Sequence, residues 1–315
     1  FMNAKIEQEE IDRGRGAILQ EINMYEDMPM RHINDLWERH LYGDTPLGWE
    51  IVGPKSNIKS FKRTDFMKYL ARGYVSGNVV VGVAGKMDPK KMKREIEKRF
   101  AHIRTGEKPV FKKATDKQSV PGVFFQHKKT DQTHMLLGVR TFDMNHPDRY
   151  AVAVLSTILG GGMSSRLFLS VRERRGLAYN VHTSAESYHD VGYLATQCGI
   201  EHENLEKTIE VILDEYKKIA AEKVGPEEIS KAKEYIKGKI AMGLEGSDDV
   251  VEYLVNQETL KGKIVLPKEY AKLIDKVTAD DVLRVAQSIF TNNRLNLAVI
   301  GPKADKKKLE KLVRL

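Results

Sequence analysis

Apolar residues recur at helical spacing from about Ile6 to Tyr25, with Ile18 and Ile22 on one stripe, and Pro29 to His40 carries a second helical pattern. That pattern ends in the turn-rich run Tyr42 to Gly48, after which Arg63 to Tyr74 predicts a further helix. Asn78 to Ala84 is a short valine-rich run, which predicts a buried strand, and Asp88-Pro89 opens a helix to about His102. The polar stretch Arg104 to Ser119, with Gly106, Pro109 and five Lys/Arg, has little period and reads as a linker. Beyond it, strands are predicted at Val123–His127, His134–Phe142, Tyr179–Ser187 and Tyr193–Ile200, and helices at Pro147–Leu159 and Ser164–Arg175. A helical block follows, over Glu203–Ala221, Pro226–Leu244, Asp248–Leu260, Lys268–Ile274 and Ala279–Phe290. Strand Leu295–Ile300 and a helix from Asp305 close the chain.

The two ends of the chain repeat each other without gaps. Asp65 and Asp281 stand 216 apart, and the same shift lays Tyr74 on Phe290, Val83 on Val299 and Gly85 on Gly301. A shift of 218 lays Glu9-Glu10-Ile11 on Glu227-Glu228-Ile229, Ile18 on Ile236 and Ile22 on Ile240. Order, spacing and element type agree, so the chain reads as two homologous α+β domains, each a mainly antiparallel sheet packed against helices. Residues 1–105 form the later part of the first, 106–119 the linker and 120–315 the second. The repeat implies that the first copy begins roughly 95 residues before Phe1, and the opening, straight into a charged helical pattern with no cap, agrees. One exchange within the repeat carries chemistry: Glu21 falls on Lys239, and a carboxylate can ligate a metal where an ammonium cannot. Taken alone, Glu21 between Ile18, Ile22 and Tyr25 reads as a boundary carboxylate rather than a ligand.

Composition narrows the classes. The 315 residues are 41% hydrophobic and 30% charged, with no apolar run long enough to cross a bilayer. The single cysteine, Cys198, can close no intramolecular disulfide and reads as a core residue of its strand, so a reducing, cytoplasmic setting is expected. The formal charge of +8 comes from lysines interleaved with glutamates rather than with stacking aromatics, which predicts solvated helix faces and no nucleic-acid partner. Gly160-Gly161-Gly162 lacks the Lys-Ser/Thr that completes a phosphate cradle.

The run Ile11-Asp12-Arg13-Gly14-Arg15-Gly16-Ala17-Ile18-Leu19-Gln20-Glu21-Ile22, with Leu159 to Leu167 and Val171 to Tyr179, resembles the pitrilysin/insulinase zinc peptidases, nearest to their shorter processing-peptidase-like members. In that family an HxxEH helix supplies two His ligands and a Glu base, and a Glu about eighty residues downstream is the third ligand. Glu21 matches that third ligand, so the resemblance implies a Zn2+ site whose HxxEH would precede Phe1; none of the nine histidines here lies in such a motif. It also implies that Arg172 and Tyr179 reach the substrate from the second domain. Read without the family, they are a basic helix end and a strand aromatic. Physically, Gly176 can take the positive φ of a C-terminal cap between them, so the turn can bring both side chains together. Where the family usually has a second Glu, seven residues before the ligand, this chain has Gly14.

The implied function is a zinc-dependent endopeptidase that hydrolyses unfolded peptides inside a closed chamber, working as a homodimer or paired with a homologous subunit. The alternative is a non-catalytic partner subunit that binds peptide and shapes the chamber.

Overall fold

The computed structural model describes residues 2–315. They gather into two compact units that interleave along the chain. The first takes residues up to Met24, Glu50–Lys112 and Ala241–Val265; the second takes Tyr25–Trp49, Lys113–Ile240 and Leu266–Leu315.

In the first unit, α1 (Gln8–Glu26) leads the chain. Helix α2 (Pro29–Tyr42) belongs to the second unit, and α3 (Lys55–Ser60), α4 (Arg63–Gly73) and α5 (Pro89–Phe100) return to the first. Neither α4 nor α5 buries a residue. The strand expected over Asn78–Ala84 is absent, and among the described residues this unit holds no strand. Val79 has extended backbone, yet Val80, Val81 and Val83 are 40%, 41% and 46% exposed. A strand is stable only when a neighbour takes up its N–H and C=O groups, and no described residue of this unit pairs with these.

The second unit holds the sheet. Its strands are β1 (Gly122–His127), β2 (Thr133–Thr141), β3 (Ala178–Ser187), β4 (Gly192–Ile200) and β5 (Leu295–Gly301). The order is β1-β5-β2-β4-β3, antiparallel throughout except for the parallel β1–β5 pair. Alternation along each strand gives the sheet two faces. One packs on α6 (Arg149–Gly160), α7 (Leu205–Ala221), α8 (Pro226–Met242) and, past α9 (Ser247–Lys261) of the first unit, α10 (Pro267–Asp275), α11 (Ala279–Ile289) and α12 (Lys306–Leu312). Met135, Leu137, Leu194, Leu297 and Val299 have no exposure on that face. A buried polar chain crosses it: Tyr216 Oη donates to the Leu137 carbonyl at 3.0 Å and lies 2.7 Å from Thr196 Oγ1, itself 2.8 Å from Thr183 Oγ1. Cys198 is buried here, as its strand position predicts.

Helix α2 covers the other face, setting Ile33, Leu36 and Trp37 on Leu136, Tyr193, Ala195 and Ala298. Arg140 fastens its end: the guanidinium donates to the Leu41 carbonyl, to Gln118 Oε1 at 2.8 Å and to Asp116 Oδ1 at 3.0 Å.

Positions 216 and 218 apart can be compared in local detail. Helices α1 and α8 begin at Gln8 and Pro226, positions 218 apart. The backbone N–H before α4 donates to Asp65 at 2.9 Å, and the one before α11 donates to Asp281 at 2.9 Å. Both helices end on an aromatic, Tyr74 at φ −97, ψ 67 and Phe290 at φ −80, ψ 73.

Candidate functional site

Arg172 sits in a six-residue π-helical segment, Phe168–Glu173, inside the stretch for which an ordinary helix over Ser164–Arg175 is expected. The Arg174 N–H reaches back to the Leu169 carbonyl at 3.0 Å, five residues away, which widens the last turn. Single π turns concentrate at functional positions, because the extra residue re-aims a side chain that a regular helix would place elsewhere. Leu167 and Val171, both with no exposure, anchor the segment in the core, so the departure lies on a fixed base.

Gly176 then takes φ +60, a conformation that costs an L-residue about 1–2 kcal/mol. Its N–H bonds the Arg172 carbonyl at 2.9 Å, and the Leu177 N–H bonds the Val171 carbonyl at 3.0 Å. This closes the chain back on itself, and β3 begins at Ala178. Its ladder pairs Ala178 with Ile200 and Asn180 with Gly199, leaving Tyr179 as the extra residue of a β-bulge. A bulge turns one side chain away from the strand's alternation, and Tyr179 is 79% exposed.

The result is a stack. The Arg172 guanidinium lies 4.8 Å from the Tyr179 ring centroid and 4.9 Å from that of Phe168, with Glu173 Oε1 3.9 Å from Arg172 Nε. The structure thus brings together the two residues singled out in this unit, one a planar multi-donor cation and the other a phenol donor. Such a pair can hold a peptide carbonyl or stabilise negative charge developing on one.

Glu21 belongs to the first unit, half-buried on α1 beside the buried Ile22. Lys239, 218 positions on, lies 5.6 Å from the Tyr235 ring centroid. Gly14 lines an apolar groove with Ile11, Ile18, Ile58, Phe61 and Phe66, and a Cβ there would meet nothing within 4 Å. Among the described residues no group of three or more His, Cys, Asp or Glu is placed to hold a metal. Zinc takes at least three protein ligands, so this donor set does not fit a zinc centre.

Sequence reasoning passed over a second cluster, adjoining Tyr179. His134, Gln197, Gly199, Asn180 and His182 line a pocket of about 190 Å³ with it. Burial lowers the pKa of both histidines; at His182, Lys239 adds to the depression and a hydrogen bond with the Gly160 backbone opposes it. The one signal in the sequence was polar residues at alternate strand positions on a face otherwise apolar.

Residues 60–236 match the family model described as the peptidase M16 inactive domain. An uncharacterized zinc protease of Mycobacterium leprae is 31% identical over 317 residues, an alignment covering all of this chain and 71% of that protein. One of Bacillus subtilis is 31% identical over 308 residues, covering 96% and 73%. The crystal structure of a peptidase M16 inactive domain from Pseudomonas fluorescens superposes with a TM-score of 0.86 at 19% identity, over 96% of this chain and 73% of that one. A protease from Helicobacter pylori gives 0.85 at 20% identity, over 95% and 73%. These structures share the α+β fold. Among the described residues no helix is long and apolar enough to cross a membrane.

Proposed function

This chain belongs to the M16 peptidase family, and from that premise we propose that it is the substrate-holding part of a zinc endopeptidase that cuts unfolded peptides inside a closed chamber. The observation that carries the reading is the Arg172–Tyr179 stack, held by a π turn, a left-handed glycine and a bulge, and presented to solvent. Three departures from regular structure within twelve residues are the kind of local irregularity that concentrates at functional sites. The names of the relatives support the zinc and protease parts of the reading.

In this reading residues 1–105 and 120–315 are two copies of one ancestral domain joined at 106–119, supported by the matched starts and caps of α1 with α8 and α4 with α11. The protein works in the cytoplasm as a homodimer or beside a homologous subunit. Zinc supplies Lewis-acid chemistry to such enzymes, with Glu21 as the one donor of this chain assigned to it. The described residues do not complete that centre, so their role is to bind and to stabilise charge. Arg172 and Tyr179 donate to the carbonyl oxygens of an extended peptide, and both bonds strengthen as negative charge grows on the oxygen they face.

The test uses the protein expressed from its complete reading frame with an internally quenched peptide. Chelator-sensitive cleavage, reduced at least tenfold by Arg172→Ala, is expected. Cleavage indifferent to chelator, or no cleavage at all, removes the enzyme. The second reading, a non-catalytic partner that binds peptide, is favoured by Gly14 and by the match to a model described as inactive. It predicts peptide binding that turns into cleavage only when an active homologue is added.

A further inference from the structure

The sheet face covered by α2 is not covered to its end. In one row across the strands stand His134, Gly199 and Asn180, and in the next Leu136, Gln197 and His182. Helix α2 packs over Leu136 and the rows beyond it but stops at its first turn, where the Met30 carbonyl accepts from Gln197 Nε2 at 2.7 Å. Past that bond lies the pocket of about 190 Å³, below the roughly 300 Å³ at which whole small-molecule sites begin and of a size for one side chain.

Gly199 keeps its floor open. A Cβ there would come within 2.9 Å of Gln132 Oε1 and within 3.3 and 3.4 Å of the His134 ring. The walls carry imidazole, amide and phenol groups, with no carboxylate, ammonium or guanidinium among the lining residues. A charged side chain would therefore lose its water without an ion pair inside the pocket, since Arg172 and Lys239 stand outside its lining. Cations are opposed further, because Lys239 bears on His182 and Arg172 lies against Tyr179. Tyr179 belongs both to the stack and to the rim, so a peptide held by the stack passes within reach of the pocket.

We propose that this pocket is a specificity site that receives one uncharged side chain, aromatic or long aliphatic, from a residue of the peptide held by Arg172 and Tyr179. The assignment rests on the peptidase reading above and adds to it which residues choose the substrate. Gln197 and His182 set the width of the pocket, and Gly199 supplies the room.

The test measures binding of the full chain, by fluorescence anisotropy, to Ala-rich peptides of one length that differ at a single position: Ala, Leu, Phe, Lys or Glu. Phe and Leu should bind tighter than Ala, Lys and Glu by about tenfold or more, the discrimination that burying a few extra apolar groups typically delivers. Gly199→Val, whose branched side chain suits a strand and fills the floor, should bring the Phe-to-Ala ratio near one. His182→Ala, at an exposed position, should widen the pocket and shift preference toward a Trp peptide; it decides alone if Gly199→Val melts early. Equal binding across the panel, tightest binding of Lys or Glu, or a ratio unchanged in a well-folded Gly199→Val protein overturns the pocket. Preference without chelator-sensitive cleavage by the complete protein leaves the pocket standing and ends the peptidase reading. Cleavage with a flat panel does the reverse.

Discussion

Replacing Tyr179 by alanine separates a side chain kept for use from one kept for stability. The ring is 79% exposed, so truncation returns little apolar surface to water. The ring lies 4.8 Å from the Arg172 guanidinium, and an exposed cation–π pair contributes about 0.5–1 kcal/mol. The expected cost is therefore no more than about 1 kcal/mol, which for a unit of this size is a fall in Tm of about 2–4 °C. Leu194→Ala, with no exposure in the interior strand β4, serves as the comparison at about 2–5 kcal/mol. Circular dichroism melts give the stabilities, and anisotropy with an unfolded peptide gives the affinities. Tyr179→Ala should melt close to wild type yet bind at least tenfold more weakly, the weight of a hydrogen bond in a charge-bearing site. A melting point lowered as far as that of Leu194→Ala would make the ring a structural element. Unchanged binding at unchanged stability would refute the assignment of this turn to substrate.

Gly176→Ala should cost about 1–2 kcal/mol through its φ of +60 and should weaken peptide binding with it, because the same turn sets Arg172 against Tyr179; melts and anisotropy on one preparation check both. Tyr216→Phe removes the donor to the Leu137 carbonyl and should cost about 1–3 kcal/mol in urea unfolding, while the stack on Phe290 persists. Cys198 is fully buried, with its thiol pushed up to about 12, so thiol reagents should label it only as fast as the sheet opens; labelling at the rate of a free thiol would contradict the packing. Glu38 has its pKa raised, first by burial, although Tyr188 and Tyr193 donate to it. The unfolded chain then loses this proton at lower pH than the folded one, so stability falls as pH rises from the ordinary Glu range through the raised value. Glu38→Gln should flatten that slope, and melts at a series of pH values would show the two proteins diverging upward in pH.

The fold was legible where its causes are local. Strand alternation in β2, β4 and β5 and the glycine before β3 each act within a few residues, and each stands where the pattern puts it. The Val79–Ala84 segment carries equally good strand chemistry, and its backbone at Val79 is extended, yet it is not a strand. A strand is completed by its neighbours, and pairing is a property of the assembly of chain segments. The same limit applied to Ser164–Arg175, where core anchoring at Leu167 and Val171 allowed a wide turn that helical periodicity does not distinguish from a regular one.

By itself the sequence determined which residues could do chemistry: a carboxylate at 21, a guanidinium at 172, a phenol at 179, and a glycine between the last two able to turn the chain. Tertiary structure decided which of them meet. Arg172 and Tyr179 stack because a π turn and a bulge aim them at each other. His134 and His182 share a pocket because β2 and β3 flank β4 in a register that sets His134 beside Gly199 and His182 beside Gln197, one row on. Residues 48 positions apart carry no local trace of that neighbourhood, since strand register is set by packing of the whole face and not by the residues that happen to line its open end.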